Sequence, residues 1–172
     1  MTTPSDEFIR QSRAYLMDDF RPRIRKCLEA LSDEDIWWRP NEASNSIGNL
    51  VFHLCGNARQ WIVAGVGRAP DIRRRQEEFD RREVVPRDEL VAILESTLTL
   101  VDQSLARVLT TELLEPRLIQ GYHTSVQGAI YHVVEHFAMH TGQIILLTKA
   151  RTGRDLGFYA VQDGVAKPTW GE

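Results

Sequence analysis

Tyr131-His132-Val133-Val134-Glu135-His136-Phe137-Ala138-Met139-His140-Thr141-Gly142-Gln143-Ile144 carries three of the chain's five histidines, at positions i, i+4 and i+8. A helix turns every 3.6 residues, so these imidazoles stack on one face of a largely apolar helix. Imidazole is the commonest side-chain metal ligand, and an i, i+4 pair grips an ion well. The stretch predicts a long packed helix with a metal site on it.

One ion does not take all three. His132 and His140 lie about 12 Å apart along the axis, too far for two bonds of about 2.0–2.1 Å. The helix therefore supplies an adjacent pair, His132/His136 or His136/His140, and His136 belongs to both. A further ligand must come from elsewhere. His53 is the candidate, among apolar neighbours in Asn49-Leu50-Val51-Phe52-His53-Leu54-Cys55-Gly56-Asn57. Cys55 falls about 200° around the helix from His53, so it points away and reads as a small buried residue. His123, before the late helix, reads as exposed or capping.

Outward from these motifs the chain reads as four substantial helices with almost nothing strand-like. The first starts after Thr3-Pro4 and runs to Leu31, with Pro22 expected to kink or split it. A connector with a turn at Ser32-Asp33-Glu34-Asp35 and the pair Trp37-Trp38 follows. Asn45-Ser46 caps a second helix, Ile47 to Val66, that ends at Gly67. Residues 67 to 86 are the least periodic stretch. A third helix starts near Pro86 with Asp88 and Glu89 in its first turn, where acids suit the dipole. Thr124-Ser125-Val126-Gln127 looks like a capping box for the fourth, which continues to about Ala150. Residues 151 to 172 form a non-helical tail without period, whose Phe158, Tyr159 and Trp170 suggest packing. The expected fold is all-α: a four-helix bundle over about residues 5 to 150, in one domain spanning 1 to 172. The connector of about 20 residues between helices two and three is long enough for a crossover.

Composition narrows the function classes. At 172 residues, 42% hydrophobic and 26% charged, the chain is long enough to bury a core without disulfides. A net charge of −3 gives no general pull toward nucleic acid. The arginines from Arg73 to Arg82 are nearly cancelled by interleaved acids, so a solvated loop or helical turn is expected there. Two cysteines make no disulfide framework, the start has no export signal, and no apolar run spans a membrane. A cytoplasmic protein without nucleic-acid or membrane partners is expected.

His132-x-x-Glu135-His136 also matches the H-x-x-E-H pattern of inverted zinc proteases, with Glu135 as general base. Its further acidic ligand and substrate-binding sheet are not readable here. Carboxylate-bridged di-iron chemistry lacks its paired Glu-x-x-His motifs.

Asn49-Leu50-x-x-His53-Leu54-x-Gly56-Asn57, with His136-Phe137-Ala138-Met139-His140-Thr141-Gly142-Gln143-Ile144, resembles the DinB/YfiT-like superfamily of metal-dependent enzymes. The likeness covers roughly residues 5 to 150, and Ser46-Ile47-Gly48-Asn49-Leu50 fits the start of that family's second helix. It implies an up-down-down-up bundle, usually a homodimer, with one divalent metal on His53, His136 and His140. His132 then becomes a lining residue. The ion is commonly nickel or zinc, which all-nitrogen ligation suits alike. Some relatives are thiol S-transferases using bacillithiol, mycothiol or glutathione-type cosubstrates, and one group contains a mycothiol-dependent maleylpyruvate isomerase.

Three neutral imidazoles leave an ion its full charge and an open position. A bound water near its pKa of about 7 implies hydrolysis; a bound thiolate implies S-transfer of a low-molecular-weight thiol to an electrophilic small molecule. Asn57, one turn after His53, and Gln143, three residues after His140, are candidates to orient the ligands. Gly142 costs about 1 kcal/mol against Ala in a helix, so close packing is expected there. Trp37, Trp38 and Trp61 read as core or pocket wall. The non-catalytic rival is a metal-stabilised binding or stress-response protein, which needs neither open position nor cavity.

Overall fold

The computed structural model describes residues 2–170. Thr3 caps α1 (Pro4–Ala14): its hydroxyl accepts from the Asp6 N–H, and the Asp6 carboxylate accepts in return. Pro22 does not split the helix. The chain winds instead as a π segment, Tyr15–Phe20, in which the Arg21 N–H donates to Leu16 O, five residues back. It then continues as α2 (Arg21–Glu29), with Pro22 in the first turn. The wider winding absorbs the bond that proline cannot make.

Ser32 caps the short α3 (Asp33–Trp37). Ser46 caps α4 (Ile47–Ala58) in a box with Asn49, and the helix runs on through a second π segment, Arg59–Val66, to Gly67. The aperiodic stretch after it holds α5 (Arg75–Asp80). Then come α6 (Arg87–Leu105) and α7 (Val126–Thr152). The cap of α7 is Ser125 rather than Thr124, its hydroxyl accepting from the Gly128 N–H at 3.0 Å. α4 packs on α6 and α7, and so does α2. Ile24, Leu28, Leu54, Ile62, Leu94 and Phe137 are fully buried in the one core between them.

Two hairpins add to a chain expected to hold almost nothing strand-like. β1 (Pro116–Ile119) pairs antiparallel with β2 (Tyr122–Ser125), and β3 (Tyr159–Gln162) with β4 (Val165–Pro168). Their turns are Gln120-Gly121, φ 54° and 80°, and Asp163-Gly164, φ 52° and 78°. Positive φ at both central residues is the two-residue turn whose twist matches the strands. The tail is thus not an aperiodic coil, and it packs: Phe158 is buried, the Trp170 indole N–H donates to Asp18 O at 3.1 Å, and the Arg23 guanidinium lies over both rings. The molecule is mostly helical with two small antiparallel sheets. Among the described residues no helix is long and apolar enough to cross a membrane.

Gly48 has a packing reason, since a Cβ there would stand 2.7 Å from the Trp37 ring. Gly142 does not. A Cβ there meets nothing within 4 Å, so the expected close approach is absent.

Candidate metal centre

The helices bring His53 of α4 against His136 and His140 of α7. His53 Nε2 lies 3.0 Å from His136 Nε2, which lies 3.2 Å from His140 Nε2. Nitrogens sharing one tetrahedral ion at about 2.0–2.1 Å stand about 3.3 Å from one another. The three are within one ion's reach, and all are buried.

Their other ring nitrogens decide which way the lone pairs point. His53 Nδ1 is 3.0 Å from Glu78 Oε2. Burial alone would raise the Glu78 carboxyl, but hydrogen bonds from Arg73 and His53 more than offset it and hold the group below its ordinary value. Glu78 is therefore a carboxylate, an acceptor only, and His53 Nδ1 carries the proton. His140 Nδ1 donates to Gln143 Oε1 at 2.7 Å. Both residues thus turn Nε2 inward, each with the ring orientation that a ligating histidine takes from its outer partner.

Burial, then His140 and His53, push His136 down to about 3, so it is neutral. Its buried Nδ1 has no hydrogen-bond partner among the described residues. A neutral His136 can donate from Nε2 to only one of its two Nε2 neighbours, whereas a cation between the three would be met by a lone pair from each. The donor set fits a divalent transition metal.

Glu78 and Arg73, which sequence reasoning missed, complete the surround. The buried Arg73 grips Glu78 with two bonds, Nε to Oε1 at 2.7 Å and Nη2 to Oε2 at 2.8 Å. The 3.2 Å approach of Arg73 Nη2 to His53 Nδ1 brings two donors together around Oε2 and is no bond of its own. One face of the second helix, at i, i+4, i+7 and i+11, receives this segment. Asn49 Nδ2 donates to Glu78 O and Arg81 O, His53 meets the carboxylate, and Gln60 Oε1 accepts from Arg73. Gly56 leaves the room: a Cβ there would stand 2.8 Å from Glu78 Cδ and closer still to Oε1. A buried asparagine and an in-helix glycine flanking His53 were the signal that something docks there.

The other expected residues fall as follows. His132 is half-buried beside the centre, its Nε2 3.2 Å from Asn57 Nδ2 and its ring 4.1 Å from that of Trp61. Burial lowers its pKa. Asn57 therefore holds His132 and not His53, whereas Gln143 does hold His140. Glu135 is exposed, 3.9 Å from His132 Nδ1, so the inverted-protease arrangement is not assembled. Burial pushes the Cys55 thiol up to about 12, which leaves it neutral. His123 lies exposed in β2. Trp37 is core, with its indole N–H on Val85 O.

A cavity of about 310 Å³ opens over His53 and His136. Trp61, Arg73, Arg75 and His132 line it, together with Gln120 and Tyr122 from the first hairpin. The Trp61 indole N–H donates to Gln120 Oε1 at 3.3 Å, which ties that hairpin to the helix.

A mostly helical protein with three histidines from two helices, arranged to hold one divalent ion, is the class that fold and site define. The chain belongs to the family described as "Protein of unknown function (DUF1572)", whose model matches residues 4–164. It is similar to the crystal structure of a conserved protein from Enterococcus faecalis, with a TM-score of 0.73 and 15% identity, over 84% of this chain and 97% of that one. It is also similar to a DinB-like protein from Bacillus cereus, with a TM-score of 0.63 and 16% identity, over 86% and 93% of the two chains. At such identities the likeness concerns the fold, which is DinB-like as the sequence motifs implied. No curated protein matches the chain.

Proposed function

We propose that the protein holds one zinc or nickel ion on His53, His136 and His140, and transfers a low-molecular-weight thiol to a small electrophile. The observation that carries the reading is the convergence of imidazole nitrogens from His53, His136 and His140, with a cavity opening over His53 and His136. A closed, dry site would instead have favoured a metal-stabilised binding or stress-response protein. A bound divalent ion supplies Lewis acidity, favouring the deprotonated form of a thiol or water. The chain's residues do the rest: Glu78 and Gln143 fix the imidazoles, and Trp61 and Tyr122 wall the cavity. Arg73 keeps Glu78 ionised.

Thiol transfer ranks ahead of hydrolysis by resemblance to the DinB/YfiT-like superfamily, a fold-level warrant. Hydrolysis is the second reading, favoured by His132, an imidazole that burial keeps neutral at the cavity wall. The proposal extends to an up-down-down-up helix order, a homodimer and a cytoplasmic location, on the same resemblance and on composition.

The test is to load the protein with zinc or nickel and offer bacillithiol, mycothiol or glutathione with an aryl halide, following thiol loss. Metal-dependent consumption that vanishes in His136→Ala is expected. Cleavage of activated esters without thiol consumption turns the reading to hydrolysis. Inertness toward both classes overturns the enzyme reading.

A further inference from the structure

A second cavity, larger than the one over the histidines, lies nearby. It measures about 390 Å³ and lies on the far side of the Arg73–Glu78 pair, between the second helix, α6 and the segment 70–81. That volume lies within the range of small-molecule sites, about 300–1,000 Å³. Arg73 borders both cavities, so one ion pair partitions them.

Its lining has two characters. Phe52, Val63, Ala64 and Ile93 make an apolar wall. Into this wall Thr97 sets a single hydroxyl, and the residue is only 1% exposed. The neutral Cys55 thiol beside it shares a weak hydrogen bond with that hydroxyl.

The charged side of the cavity is unbalanced. Four arginines line it against three acids. Arg73 is paired with Glu78 and Arg74 with Glu77, while Asp71 accepts from the Gln60 amide and the Arg73 backbone N–H. Arg59 and Arg81 remain without an acidic partner among the described residues. The Arg81 guanidinium lies 4.5 Å over the Phe52 ring, and its buried Nε has no acceptor. A guanidinium half-sunk on an aromatic face, with a donor unused, suits an oxyanion.

We infer that this cavity is a second ligand site, for a small organic carboxylate with an apolar body. The carboxylate meets Arg81 and Arg59, and the body lies along Phe52, Val63 and Ile93 toward Thr97. The inference stands whether or not the histidines hold a metal.

The test is calorimetric titration of the full-length protein with 4-phenylbutyrate, and with 4-phenylbutan-1-ol as its neutral counterpart. Saturable one-site binding of the carboxylate is expected, at least about tenfold tighter than the alcohol, as one charge-assisted bond provides. Arg81→Gln is expected to weaken it about tenfold, and Ala64→Leu to abolish it by filling the space. Far-ultraviolet circular dichroism checks that Ala64→Leu still folds; if it does not, Arg81→Gln decides. His136→Ala is expected to bind as the parent does. No saturation, equal binding of the alcohol, indifference to Arg81→Gln, or loss in His136→Ala overturns the site.

Discussion

Glu78 is the residue on which the centre's geometry turns. It is the only carboxylate within hydrogen-bond reach of the three histidines among the described residues, and Arg73 keeps it ionised. Outer partners of this kind are worth about 10–100-fold in metal affinity. Glu78→Gln is therefore expected to weaken zinc binding by that factor in competition with a chromogenic chelator. Gly56→Ala should do the same without replacing a polar residue, because its Cβ displaces the carboxylate. Parent-like affinity in both would remove Glu78 from the site.

Acid should act on the metal-free fold through the same residues. His136 titrates at about 3 in the fold, against an ordinary 6.5, because burial and its neighbours disfavour the cation. His132 and His140 are lowered too. Between pH 6.5 and 3 the unfolded chain thus binds protons that the fold refuses, so stability falls as pH falls through that window. The urea midpoint of chelator-treated protein is expected to drop from pH 7 to pH 4. A flat profile would mean that the imidazoles are not held neutral. Of the candidate ligands, His136 was legible from helical spacing and imidazole chemistry, and His53 followed as the candidate from another element. Only the family resemblance chose His140 over His132; the structure brings His53, His136 and His140 together. Glu78 was not legible, because its neighbours Arg74 to Arg82 show only a charge run and its partners lie a helix away.

Among the elements, the long helices follow from apolar period and caps, and their ends agree with the sequence to within a few residues. The hairpins were missed for another reason. Short strands of mixed exposure leave little periodic trace, and only turn chemistry marks them. Asp163-Gly164 and Gln120-Gly121 were such marks. The first hairpin matters to function because it places Gln120 and Tyr122 on the cavity over the histidines. Gly121 sits at φ 80°, where a side chain costs about 1–2 kcal/mol. Gly121→Val is expected to lower stability by about that much in urea denaturation, with altered Trp61 fluorescence as the hairpin shifts. Unchanged stability would argue against this turn.

For the whole molecule, one core fixes the distance between α4 and α7, and so brings His53 to the helix that bears His136 and His140. Burying Phe137 next to His136 links packing to the site, since the fully buried ring anchors the turn that carries His136 and His140. Phe137→Ala is expected to cost about 3–5 kcal/mol and to lower metal occupancy with it. A variant with parent-like thermal stability would show that α7 is held by other contacts.

The most direct measurement is the metal content of untagged protein by elemental analysis, beside His53→Ala and His136→Ala. About one equivalent of zinc or nickel is expected in the parent, and little in either variant. A parent that stays metal-free after incubation with both ions, or a variant that keeps its metal, contradicts the three-histidine centre.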